Sequence, residues 1–150
     1  MLGPAPDPHP LATPYPAPLE GARPVFAVMS DLLFRSKIDD AARRNGLELR
    51  AAKSLEQLER HLGRSEPAVV FVDLEADSPD PSAAIRLLRE RAREGAVRII
   101  GFAGHTNIAA IEAGRAAGAT LVLARSGLTS QLPTLLERVA EAERARGGSG

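Results

Sequence analysis

Apolar runs a few residues long recur along the chain, and between them apolar positions fall every three or four residues. The most telling run is residues 67–73, where Ala68-Val-Val-Phe-Val72 ends abruptly in the carboxylate of Asp73. A continuous apolar run rich in β-branched side chains predicts a strand buried on both faces, as in the middle of a parallel sheet. Residues 25–29, 97–103 and 120–124 read as strands in the same way, while residues 47–52 alternate and predict an edge strand. Helical spacing places Phe34, Ile38 and Ala41 or Ala42 inside a first helix, which Gly46 stops. Ser54 and Gln57 form a capping box for a second helix with Leu55, Leu58 and Leu62 inward, ending near Gly63. Asp80-Pro81 opens a third helix with Ile85, Leu88 and Ala92 inward. Thr106 or Asn107 caps an Ala-rich helix over residues 108–117, stopped by Gly118. The last helix is expected from Ser130, with Pro133 in its first turn, to about Ala145.

Strands alternating with helices through short connections predict an α/β sandwich, a five-stranded parallel sheet with helices on both faces. The flavodoxin-like order 2-1-3-4-5 fits best, since it puts the strand ending in Asp73 at the centre and residues 47–52 at an edge. In that order the switch point lies between strands 1 and 3, so Asp31 and Asp73 are expected at one mouth beyond the strand ends. Two such carboxylates with a backbone carbonyl nearby suit a hard cation such as Mg²⁺ that keeps several waters. The same set would hold a phosphoryl group bridged by the cation. Asp31 has a simpler role open to it, capping the first helix beside Ser30. His105 follows the fourth strand at the same mouth, either as an anion contact or as a plain loop residue. Arg125 is expected to pair with Asp73 or Asp31.

The 150 residues make one domain, with 19 basic and 19 acidic side chains and hence no long-range pull toward nucleic acid or an anionic membrane. The absence of cysteine excludes disulfides and thiolate chemistry. No apolar run has the length of a membrane span and no signal-peptide pattern opens the chain, so a soluble, cytoplasmic protein is expected. No Gly-rich phosphate loop follows the first strand, which disfavours dinucleotide binding and Walker-type hydrolysis. Eight of the twelve prolines lie in residues 1–24, which predicts a disordered or polyproline-like arm before a domain at 25–146 and a flexible tail at 147–150. The arginines between Arg86 and Arg98, interleaved with Glu90 and Glu94, read mostly as a solvated face. The small side chains of residues 108–117 either let that helix sit tight on its own sheet or offer a homodimer surface on the 108–146 side.

In these features the chain resembles the CheY-like receiver domain of bacterial response regulators, over about residues 25–142. The likeness lies in the acidic end of the first strand (Ser30-Asp31), the lone Asp73-Leu74 after the third, Asp80 seven residues on, and Gly118-Ala119 before the fifth. It implies that Asp73 takes a phosphoryl group from a kinase histidine, with Mg²⁺ on Asp31, Asp73 and the Glu75 carbonyl. It also implies a protein partner, a histidine kinase or an effector. Six positions depart from the family pattern: Ser30 replaces the first of two acids, Ala103 the fourth-strand hydroxyl, Arg125-Ser126 the Lys-Pro pair, Val122 the switching aromatic and Asp77 the loop proline. An atypical or pseudo-receiver is therefore expected, not an enzyme, acting through protein–protein contacts with degenerate phosphorylation chemistry. The alternatives are a working phosphoacceptor on Asp73 with Mg²⁺, and a flavodoxin-like module for a small ligand. No output domain is legible after the last helix, so either the effector is on another chain or the sequence is a fragment of a longer protein.

Overall fold

Successive side chains of a strand point to opposite faces, and in the central strands both sets are apolar, so the sheet needs cover on two sides. The computed structural model, which describes residues 15–91 and 97–148, meets this demand by alternating strands with helices. The order is β1 (Val25–Val28), α1 (Leu32–Arg44), β2 (Leu49–Ala52), α2 (Leu55–Arg64), β3 (Val69–Asp73), α3 (Pro81–Arg91), β4 (Arg98–Ala103), α4 (Ile108–Ala117), β5 (Leu121–Ala124) and α5 (Arg125–Gly148). The strands form one parallel sheet in the order β2-β1-β3-β4-β5. This is the expected flavodoxin-like arrangement, with β3 central. In register, Val72 lies between Val28 and Gly101, and Asp73 stands opposite Phe102.

One core lies under α1 and α5, where Ala27, Phe71, Ile100 and Phe102 of the sheet meet Phe34, Ile38, Leu128, Leu132 and Leu136. The other lies under α2, α3 and α4, where Phe26, Val28, Val70, Val72 and Ile99 meet Leu58, Ile85, Leu88 and Ala117. Leu74, directly after β3, is wedged in a slot that only glycines allow. A Cβ on either Gly101 of β4 or Gly114 of α4 would come within 2.8 Å of its Cδ1. The loop after Asp73 is thereby fixed against both β4 and α4.

The expected caps are present. Asp31 accepts from the Phe34 amide at 3.0 Å, Ser54 from Gln57, Asp80 from Ala83 and Asn107 from Ala110. Gly118 stops α4 with φ 117°, a left-handed backbone that glycine adopts without strain.

Four expectations need correction. The last helix starts at Arg125, directly after β5, and Pro133 lies inside it rather than in its first turn. Its buried positions Leu128, Leu132, Leu136, Val139 and Ala140 keep one helical face straight through the proline. That helix also runs through Gly148, into the stretch expected to be a flexible tail. Arg89 is not a solvated charge: it donates to the carbonyls of Val97 (2.8 Å) and Gly118 (2.9 Å) and to Thr120 Oγ1 (2.9 Å), tying α3 to the ends of α4, β4 and β5. Ala92, Arg93 and Glu94 lie outside the described residues.

Within the proline-rich arm, residues 15–24 lie against the domain. Leu19 packs on the α1–α5 core and its amide donates to the Gly46 carbonyl, while the Tyr15 hydroxyl donates to Asp40 at 2.7 Å. Arg23 closes this strap on α5 through the buried carboxylate of Glu143, reached by its backbone amide at 2.7 Å and its Nη2 at 2.8 Å.

Candidate functional site

Beyond the carboxyl end of the sheet, the chain gathers two acids around one guanidinium. Asp73, the last residue of β3, is only 5% exposed. Its Oδ1 accepts from the Glu75 amide at 2.9 Å and from Arg125 Nη2 at 2.8 Å. The loop then turns back, the Ala76 amide meeting the Asp73 carbonyl at 3.3 Å, and this carries the Glu75 side chain across to the end of β4. There Glu75 Oε1 accepts from Arg125 Nε at 2.9 Å and from the Gly104 amide at 3.0 Å, and Oε2 accepts from Asn107 Nδ2 at 2.8 Å.

Arg125 reaches both acids because α5 begins with no loop after β5. Its Cζ lies 5.2 Å from the Phe102 ring centroid and 5.6 Å from that of Phe34. The two rings stack with centroids 4.6 Å apart, forming an apolar shelf for the cation. A planar fork presents its donors in fixed directions, so it can bridge two carboxylates where a lysine ammonium would offer a point charge. Burial works against the Arg125 charge, but the hydrogen bond to Glu75 and the charge of Asp73 outweigh it and raise its pKa.

The Glu75 carboxyl is held at a pKa of about 2, below its ordinary 4.5, first by the Asn107 amide, then by Arg125 and the Gly104 amide. Its stabilising contribution is complete above the unfolded value near 4.5 and is lost as pH falls toward about 2. Because the carboxylate is part-exposed, solvent screening reduces the contribution to on the order of 1–2 kcal/mol. Acid denaturation of the native chain should accordingly show a stability loss in that window that is smaller in Glu75→Gln. Equal slopes in the two proteins would contradict this assignment.

The other candidates of the sequence take no part in the hydrogen bonds of this network. Asp31 is exposed at the start of α1 and caps it through Phe34, and Arg125 pairs with Asp73 rather than with Asp31. Ser30 is exposed beside it. Ala103 is fully buried at the end of β4, opposite Ala124, and brings no hydroxyl. His105 is exposed on the loop between β4 and α4. Among the described residues no group of three His, Cys, Asp or Glu side chains is placed to hold a metal ion. Two members of the network escaped sequence reasoning. Glu75 entered it only through its backbone carbonyl, whereas its carboxylate is the group engaged, and Asn107 entered only as a helix cap. The available signal was their proximity in sequence to the ends of β3 and β4.

No protein-family profile matches the sequence, and no curated protein matches it. Solved structures do match. The receiver domain of a sensor histidine kinase from Pseudomonas aeruginosa, with a magnesium ion coordinated in its active-site cleft, superposes with a TM-score of 0.67 at 19% identity, over 80% of this chain and 98% of that one. The chemotaxis response regulator CheY4 of Vibrio cholerae gives 0.66 at 19% identity, over 79% and 98%. NtrX from Brucella abortus gives 0.66 at 18% identity, over 85% of this chain and 29% of that one. At such identities the likeness concerns the fold: this chain has the CheY-like receiver fold.

Proposed function

We propose that this chain is an atypical receiver-like signalling module that acts through protein–protein contacts, without catalysis of its own and without regulated phosphorylation. The observation that carries the reading is the Arg125 guanidinium bridging Asp73 and Glu75. In a working receiver the third-strand aspartate must accept a phosphoryl group, and the added charge must be felt elsewhere. Here a guanidinium shared with Glu75 is already bonded to Asp73 Oδ1, Ala103 offers no hydroxyl to an incoming group, and Val122 has no ring to swing. A population shift requires a ligand that interacts differently with two states, and neither usual partner is present.

Mg²⁺ binding is weak in this reading. Asp31, Asp73 and the Glu75 carbonyl would hold the ion with water completing its shell, against a guanidinium already bonded to Asp73 Oδ1. The magnesium-bound neighbour supports the location of such a site, while Arg125 opposes its occupancy. The partner is a second protein, a histidine kinase or an effector, met in the cytoplasm, and no described helix is long and apolar enough to cross a membrane. The 108–146 side also suits a homodimer, since it presents Ile108 and Leu121 exposed. The second reading, a working phosphoacceptor, is favoured by the place of Asp73 at the end of β3 and requires Arg125 to release it.

Beryllium fluoride with Mg²⁺, a stable phosphoryl mimic, separates the two. Amide resonances of α4, β5 and α5 in a two-dimensional NMR spectrum are expected to stay where they are on its addition. Saturable shifts across those elements, absent in Asp73→Ala, would establish the second reading.

A further inference from the structure

We infer that the Glu75 carboxylate is the resident occupant of an oxyanion cradle built from Gly104 N, Asn107 Nδ2 and Arg125 Nε, and that this cradle takes a free tetrahedral oxyanion once the carboxylate is removed. The inference deepens the reading above and rests on it for the location of the site.

The three donors come from the loop after β4, the cap of α4 and the first residue of α5, and they meet on one carboxylate at 3.0, 2.8 and 2.9 Å. None of them depends on Glu75 for its place. Asn107 Oδ1 accepts from the Ala110 amide at 3.1 Å, which turns its Nδ2 toward the cradle. Arg125 is held by Asp73 and by the two stacked rings. Gly104 is fixed by the main chain, which also bonds its carbonyl to the Asn107 amide at 3.0 Å. Donors that stay in position when their ligand leaves form a pre-organised site.

The space itself is the second observation. A Cβ built on Gly104 would meet only the Glu75 carboxylate, Oε2 at 3.6 Å and Oε1 at 3.8 Å, with no other neighbour as near. The acid therefore fills the room above the Gly104 amide. Cutting the side chain back leaves a carboxylate-sized space lined by a cation and two N–H donors, the chemistry that recognises phosphate or sulfate. Its edge is open to solvent, since Glu75 is itself part-exposed.

The test is the melting temperature of the native chain, Glu75→Ala and Glu75→Ala/Asn107→Ala, titrated with inorganic phosphate against chloride at equal ionic strength. In the native chain phosphate should give only the gradual, non-saturating rise over chloride that an excluded anion gives any folded protein. Glu75→Ala should melt below the native chain in chloride and recover with phosphate in a saturable manner. At ten times the dissociation constant its folding equilibrium should shift about 11-fold. The double variant should lose most of that response. Glu75→Ser gives the same readout should the alanine variant not fold. Phosphate acting like chloride on both single variants, or a native response equal to theirs, overturns the inference. Phosphorylation of the native chain on Asp73 would defeat the reading of the previous subsection, whereas an inert native chain with an unresponsive Glu75→Ala would defeat this inference alone.

Discussion

Arg125→Ala is expected to lower the stability of the chain by about 3 kcal/mol, the largest single effect outside the apolar core. The Asp73 carboxylate that it strands is nearly out of reach of solvent, its side chain 7% exposed, and would keep only the Glu75 amide as a partner at Oδ1. Removing one member of a buried pair typically costs about 3–5 kcal/mol, because the remaining charge is left uncompensated. The lower end applies, since Arg125 is about one-third exposed and water can follow into the space it leaves. Loss of the cation from the Phe34–Phe102 shelf adds to the effect. Asp73→Asn in the Arg125→Ala background should recover a large part of the loss, because it deletes the stranded charge while keeping the shape. Urea denaturation of the four proteins gives the coupling directly. A loss below about 1 kcal/mol in Arg125→Ala would mean that the pair behaves as an ordinary surface ion pair.

Glu143→Ala should follow at about 2–3 kcal/mol, and its effect should appear at the far end of the sequence. The Glu143 side chain is 1% exposed and accepts from the Arg23 backbone amide, from Arg23 Nε and Nη2, and from Arg146 Nη1 at 3.1 Å. Burial alone would raise the Glu143 pKa, but these donors outweigh it and hold the carboxyl lowered. With the acid gone, the Arg23 amide loses its acceptor, and the strap of residues 15–24 is left with Tyr15 on Asp40, Leu19 and Ala22 on the core and the Pro24 carbonyl on the Ala68 amide. Hydrogen exchange is the discriminating measurement. The amides of Leu19 and Arg23 should exchange far faster in the variant, while those of β3 change only with global stability. Unchanged protection at both amides would show that the strap is held without Glu143.

Much of the fold was legible because its signals are local and repeated. The runs at residues 25–29 and 67–73 are apolar on both faces, and only a central parallel strand needs that. Right-handed crossovers then leave little choice of strand order, so the placement of Asp73 at the end of the middle strand followed. Where reading failed, the determinant was not periodic. Pro133 signals a first turn, and that cue outweighed Leu128, whose place in the same buried face as Leu132 and Leu136 shows that the helix begins earlier. That error hid the reason Arg125 is rigid. The Glu75 carboxylate reaches partners 29, 32 and 50 residues away, a convergence set by the turn after Asp73 rather than by any spacing in sequence. Arg89 sits among charges of mixed sign and looks like a solvated residue, yet three oxygens at the ends of α4, β4 and β5 wait for its fork. In the arm, the prolines masked Leu19 and Tyr15, the residues that anchor it.

The central claim is that the chain's own arginine closes the site on Asp73, and intact-mass measurement tests it most directly. Native protein, Arg125→Ala and Asp73→Ala are incubated with acetyl phosphate and Mg²⁺ and weighed before the acyl phosphate can hydrolyse. The account predicts no added mass in the native chain. A single added phosphoryl group on the native chain, absent in Asp73→Ala, would contradict it.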